Sequence, residues 1–153
     1  SIQHKNHLQQ SKNKMKRKLY ICPKLDLDAE KTLLISDFIN FCCEELPIRG
    51  GCKIHIVSDR EANRISTTAV YMVGESDIRV YGKNRSLADV MRSVAHEMTH
   101  MMQDEQNLLH GNVRDAGGFH EDQANAKAGE LLKLYAKKPG RRKIYESVKR
   151  SII

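Results

Sequence analysis

The chain has 153 residues and a mass of 17.5 kDa, is 40% hydrophobic and 29% charged, and carries a formal charge of +7. That length suits one compact domain and argues against a multidomain enzyme. With 5% aromatic residues and no Trp, the core must come from Leu, Ile, Val, Met and Ala, which favours packed helices over an aromatic-rich barrel. No apolar run is long enough for a membrane span, and the first residues are polar and basic with no apolar stretch following, so neither a membrane span nor a signal peptide is expected.

Residues 1–18 hold two histidines, five lysines and one arginine, with Ile2, Leu8 and Met15 as the apolar side chains. This composition predicts a basic, flexible tail, followed by a domain over 19–153. Lys12, Lys14, Lys16, Arg17 and Lys18 offer a weak contact to nucleic-acid phosphates, but no aromatic residue among them would stack a base. Arg141, Arg142, Lys143, Lys149 and Arg150 give the other end the same character. Cys22, Cys42, Cys43 and Cys52 form no C-x-x-C pair, and Cys42 and Cys43 sit in a leucine-rich segment. They read as small buried hydrophobes in a reducing compartment, hence an intracellular, cytoplasmic chain.

From Asp28, a possible N-cap, Leu33, Leu34, Phe38, Phe41, Cys42 and Leu46 recur at helical spacing until Pro47 and Gly50-Gly51. Lys53 to Val57, Ala69 to Val73 and Asp77 to Tyr81 alternate as three short strands of one sheet, the last two separated by Gly74-Glu75-Ser76. Ser86 can cap a helix with the apolar stripe Leu87, Val90, Met91, Val94, Ala95 and Met98. After a loop with Gly111, Gly117 and Gly118, a helix from Glu121 to about Lys137 turns Ala124, Ala128, Leu131, Leu132 and Tyr135 inward, its alanines permitting close packing. Residues 141–150 can add a short amphipathic helix.

The segment His96-Glu97-Met98-Thr99-His100 carries the chemistry. On a helix, residues four apart share a face, so both imidazoles can meet one metal while Glu97 reaches a water beside it. Zinc is the natural ion for neutral imidazoles, and a catalytic zinc keeps three protein ligands and an open position. The competing reading makes both histidines ordinary polar-face residues. For the third ligand the chain offers Asp104, Glu105, His110, Asp115, His120, Glu121 and Asp122. Asp104 and Glu105 lie on or near the same helix, so a second, crossing helix is the better source. Glu121 stands near the start of that helix, and Asn125, one turn on, can accept a hydrogen bond from a ring N–H of a ligating histidine.

These residues, with Glu121-Asp122-Gln123-Ala124-Asn125-Ala126-Lys127-Ala128-Gly129-Glu130-Leu131-Leu132, resemble the gluzincin zinc metallopeptidases, and among them the small intracellular ImmA/IrrE group. The resemblance runs from about Asp77 to Leu132. It implies an α+β, minimal zincin-like fold in which a small mixed sheet packs against an active-site helix and a crossing ligand helix. It also implies His96, His100 and Glu121 as zinc ligands and Glu97 as general base, with Ile78-Arg79-Val80-Tyr81 as the edge strand pairing with an extended substrate. Thermolysin-like relatives place an aspartate where this chain has Asn125, so the amide is a weaker orienting partner. Some minimal zincins complete the site with a third histidine, which keeps His120 and His110 open as alternatives. The usual metzincin form is excluded because Gln106 occupies its third-histidine position.

The reading that follows is zinc-dependent hydrolysis of peptide bonds in a protein or peptide substrate. Water activated by zinc attacks the carbonyl while Glu97 takes its proton. Candidate donors to the oxyanion are His110, Arg114, His120, Tyr71 and Tyr81, among which the sequence does not choose. Two alternatives stand beside it: a zinc-stabilised structural or binding module without catalysis, and a basic nucleic-acid-binding protein. The sequence sets no oligomeric state.

Overall fold

A computed structural model describes residues 17–109, 118–141 and 143–146. Four strands, β1 (Arg17–Ile21), β2 (Cys52–Val57), β3 (Ala69–Met72) and β4 (Asp77–Tyr81), and four helices, α1 (Ala29–Glu45), α2 (Leu87–Glu105), α3 (Phe119–Ala136) and α4 (Lys143–Glu146), follow one another in the order β1-α1-β2-β3-β4-α2-α3-α4. The sheet order is β1-β2-β4-β3. β1 and β2 are parallel, as are β2 and β4, with Leu19 opposite Ile54 and Ile56 opposite Val80; β3 runs antiparallel to β4, with Tyr71 opposite Ile78. The sheet is therefore mixed and packs on helices, the α+β arrangement that the sequence predicts.

Two expectations about strands change. β1 was not among the predicted strands, because Lys18 and Tyr20 alternate with only partly buried Leu19 and Ile21 in a strand that lies at a sheet edge. Arg17 and Lys18, expected in the tail, are its first residues; residues 1–16 lie outside the described residues. β4, expected as the edge strand, is an interior strand with β2 on one side and β3 on the other. The reason is the tight β3–β4 turn, which lays β3 outside β4, where it becomes the edge.

Each helix follows from local chemistry and burial. Asp28 caps α1 by accepting from the Lys31 amide at 2.8 Å, and Ser86 caps α2 by accepting from the Asp89 amide at 3.1 Å. α1 turns Leu34, Ile35, Phe38, Ile39, Phe41, Cys42 and Cys43 inward. Leu33, expected in that stripe, is 68% exposed, since Ile35 and Ile39 complete the apolar face instead. α2 runs through the centre of the molecule and buries side chains around most of its circumference, Leu87, Val90, Met91, Val94, Ala95 and Met98 among them. α3 begins at Phe119, two residues earlier than predicted, and turns Ala124, Ala128, Leu131, Leu132 and Tyr135 inward as expected. Of the predicted 141–150 helix, only Lys143–Glu146 is described, as a single turn.

One core joins the inner sheet residues Ile54, Ile56, Ile78 and Val80 to α1, α2 and α3. Phe38, Phe41 and Tyr135 pack as an aromatic corner, with Phe38 and Tyr135 edge to face at 5.1 Å. All four cysteines are free, and Cys42, Cys43 and Cys52 are buried in this core. No helix among the described residues is long and apolar enough to cross a membrane.

The fully buried Ala128 sits in the shared core with α2. Ala128→Leu should therefore lower stability by about 1–3 kcal/mol through overpacking, read as a reduced urea midpoint with an unchanged slope.

Candidate metal centre

α2 presents His96 and His100 one turn apart, their ring centroids 4.9 Å apart and their planes nearly perpendicular. α3 brings Glu121 to both. His96 Nε2 lies 2.7 Å from Glu121 Oε1, and His100 Nε2 lies 3.0 Å from Glu121 Oε2. One ligand atom from each of the three residues falls within 4.8 Å of the other two, the one such group among the described residues. Two imidazole nitrogens and a carboxylate oxygen, partly buried and turned to a common point, match the donor set of a three-ligand zinc site.

The surroundings favour the form of His96 that can ligate. Burial pushes its imidazole pKa down, which favours the neutral ring, while Glu121 opposes the shift. Asn125 adds a side-chain hydrogen bond to His96 in the same sense as Glu121, the contact anticipated from its place one turn after Glu121. Glu97, next to His96 on α2, is only 7% exposed, an unusual burial for a carboxylate.

His120 is adjacent to Glu121 but stands outside the three-residue group, and its main-chain carbonyl accepts from Gln103 Nε2 at 3.1 Å. His110, Asp115 and Arg114 lie outside the described residues. Asp104 and Glu105 are used elsewhere. Asp104 accepts from the Tyr71 hydroxyl and from the Gly74 amide, and Glu105 accepts from the Arg49 and Gly50 amides. Tyr71 is thus committed to α2, and Tyr81 lies under the Arg60 guanidinium at 4.9 Å. Two of the basic end residues are also engaged within the fold: Arg17 donates to the Ile48 carbonyl, and Arg141 pairs with Asp37 at 2.9 Å. Arg142, Lys149, Arg150 and the lysines before Arg17 lie outside the described residues, as does the side chain of Lys143.

Gln103 escaped the sequence reading. It is fully buried on α2 and contacts His100, His120 and Gln123. A glutamine three residues after a candidate ligand, on the same helix face, was the available signal.

Comparisons with protein-family models, with curated proteins and with solved structures return no match. The assignment of a metal-binding-capable cluster therefore stands on the geometry of His96, His100 and Glu121.

The Tyr71–Asp104 bond joins the edge strand β3 to the end of α2 and makes a pH prediction. Burial pushes the Tyr71 pKa up, and the bond to Asp104 pushes it further. The unfolded chain then loses the tyrosine proton at lower pH than the folded one, so stability falls as pH rises past about 10. Urea midpoints measured on either side of that value should drop less in Tyr71→Phe than in the wild type, Tyr135 supplying the remaining slope for the same reason.

Proposed function

We propose that the chain is a zinc-dependent peptidase of gluzincin type, resembling the small ImmA/IrrE metallopeptidases. The observation that carries this reading is the convergence of His96, His100 and Glu121 from two helices, with buried Glu97 beside the first ligand. His96 and His100 would each ligate through Nε2, and Glu121 through its carboxylate. When bound, zinc would supply Lewis acidity that lowers the pKa of water to about 7 and polarises the scissile carbonyl.

The chain's own residues do the rest. Glu97 is the general base: it takes a proton from the attacking water and returns it to the departing amine. A buried carboxylate beside the first candidate ligand suits this, because a bound substrate would exclude competing water from it. Glu121 would both ligate the ion and offset its charge, and Asn125 would steady His96. A purely structural site gains nothing evident from a carboxylate in the place of Glu97.

An extended protein or peptide substrate would align on β3, whose outer edge pairs with no other strand among the described residues. Asp104, through Tyr71 and Gly74, ties that strand and its turn to the helix carrying the histidines. Gly74 adopts the left-handed conformation at φ +80°, which leaves its amide free to point at the carboxylate. In this reading the catalytic domain extends over 19–153 together with the opening residues of β1. The basic residues before it supply at most a weak phosphate contact, and the setting is cytoplasmic.

Elemental analysis of the purified protein tests the metal. One zinc per chain is expected in the wild type and in His120→Ala, with loss or marked weakening in Glu121→Ala. Wild-type protein that neither holds nor takes up zinc would overturn the proposal. Glu97→Gln should keep its zinc while peptide hydrolysis, measured against a library of unstructured peptides, falls by roughly 10²–10⁴-fold.

A further inference from the structure

We propose that Gln103 is a positioning residue that sets two of the three metal ligands at once, fixing the tautomer of His100 and holding the helical turn that carries Glu121. The inference rests on hydrogen-bond logic around one buried amide. Gln103 Nε2 lies 3.1 Å from the main-chain carbonyl oxygen of His120 and 2.7 Å from Gln123 Oε1. A main-chain carbonyl has no hydrogen to give, so the group facing it must be the amide nitrogen, which removes the usual ambiguity between the two ends of a glutamine side chain. The oxygen end, Oε1, is thereby the atom that faces His100 Nδ1 at 2.9 Å.

An amide oxygen only accepts, so His100 Nδ1 must carry the hydrogen. In the neutral imidazole this leaves Nε2 as a bare lone pair, and Nε2 is the atom 3.0 Å from Glu121 Oε2. Two acceptors at that distance repel unless positive charge lies between them. Either a second ring proton, which makes the imidazolium, or a divalent cation on Nε2 supplies that charge, and Nδ1 carries its hydrogen in both cases.

The same amide acts on the third ligand. Its two N–H groups reach the residue just before Glu121 and the residue two after it, so they pin the first turn of α3 against α2. That turn has no side-chain cap of its own, Gly118 standing at its N-cap. Gln103 thus supplies a tie there that the local sequence of α3 lacks. Because Gln103 is fully buried, these bonds form without competition from water.

The effect on zinc rests on the peptidase reading, whereas the tautomer does not. Two measurements separate them. Nitrogen-15 NMR of metal-free Glu121→Ala protein, in which no carboxylate faces Nε2, should show His100 protonated on Nδ1 at a pH where the imidazoles are neutral. Gln103→Met, close in volume and unbranched, should lose that preference and bind zinc roughly 10- to 100-fold more weakly in a chelator competition. Gln103→Glu, which keeps an acceptor facing Nδ1, should retain the Nδ1 proton. A His100 protonated on Nε2 in metal-free Glu121→Ala protein, or a folded Gln103→Met with unchanged zinc affinity, would overturn the role of Gln103. Failure of the wild type to bind zinc would instead sink the metal reading, and the NMR spectrum would still decide the tautomer.

Discussion

The Glu121 carboxylate spans two imidazoles on one neighbouring helix, at 2.7 Å and 3.0 Å, and this contact sets the tolerance for the whole molecule. Hydrogen bonds and metal bonds of this length fail within a few tenths of an ångström, so α2 and α3 must be held at a defined separation and rotation. Neither helix can do this alone. The fold meets the requirement by packing the small residues Ala124 and Ala128 of α3 inward, beneath the three-residue group, and by extending one continuous core from α3 through α2 to the sheet. Well-packed interiors resist displacement, so the spacing of the three candidate ligands is inherited from apolar contacts.

α2 is the element on which the remaining constraints converge. Its interior side chains meet the sheet and both long helices. Its far end carries Asp104 and Glu105, which organise two separate loops. Asp104 receives Tyr71 and Gly74 from the β3–β4 hairpin, and Glu105 receives the amides of Arg49 and Gly50 before β2. The helix that presents the histidines is thereby referenced to the edge strand on one side and to the start of β2 on the other. Thr99, lying between the two histidines in sequence, turns its hydroxyl back to the Ala95 carbonyl at 2.9 Å and so leaves no donor in the core unpaired.

Polar burial is concentrated along α2, which is unusual for a core helix and has a common reason. Ser93, Glu97, Thr99 and Gln103 are all buried on it. Ser93 accepts from Arg85, Thr99 bonds its own helix, and Gln103 bridges to α3. Buried polar groups are costly unless satisfied, and their accumulation beside two histidines marks the stretch where packing yields to chemistry. Elsewhere α2 is lined by Leu87, Val90, Met91, Val94 and Met98, and the helix behaves as ordinary core.

Much of this was legible along the chain, and for definite reasons. Helical periodicity and the side-chain oxygens of Asp28 and Ser86 mark α1 and α2, because caps and amphipathic stripes are local properties. The four-residue spacing of His96 and His100 determines by itself that both rings share a helix face, since 3.6 residues per turn leaves no other outcome. The inward face of α3, with its alanines and leucines, was readable in the same way. What local pattern does not carry is partnership across space. β1 hides because an edge strand buries little and so shows weak alternation, and the exchange of β4 for β3 at the sheet edge depends on which strand its neighbours select. Leu33 falls on a plausible stripe yet faces solvent, because packing of α1 chose Ile35 and Ile39. Helix placement already set Asp104 and Glu105 aside and pointed to Glu121, but it left His120 and His110 open. Only the crossing of α3 over α2 brings Glu121 to both imidazoles and gives Gln103 a carbonyl to face, since distances between residues remote in sequence are decided by the core that joins them.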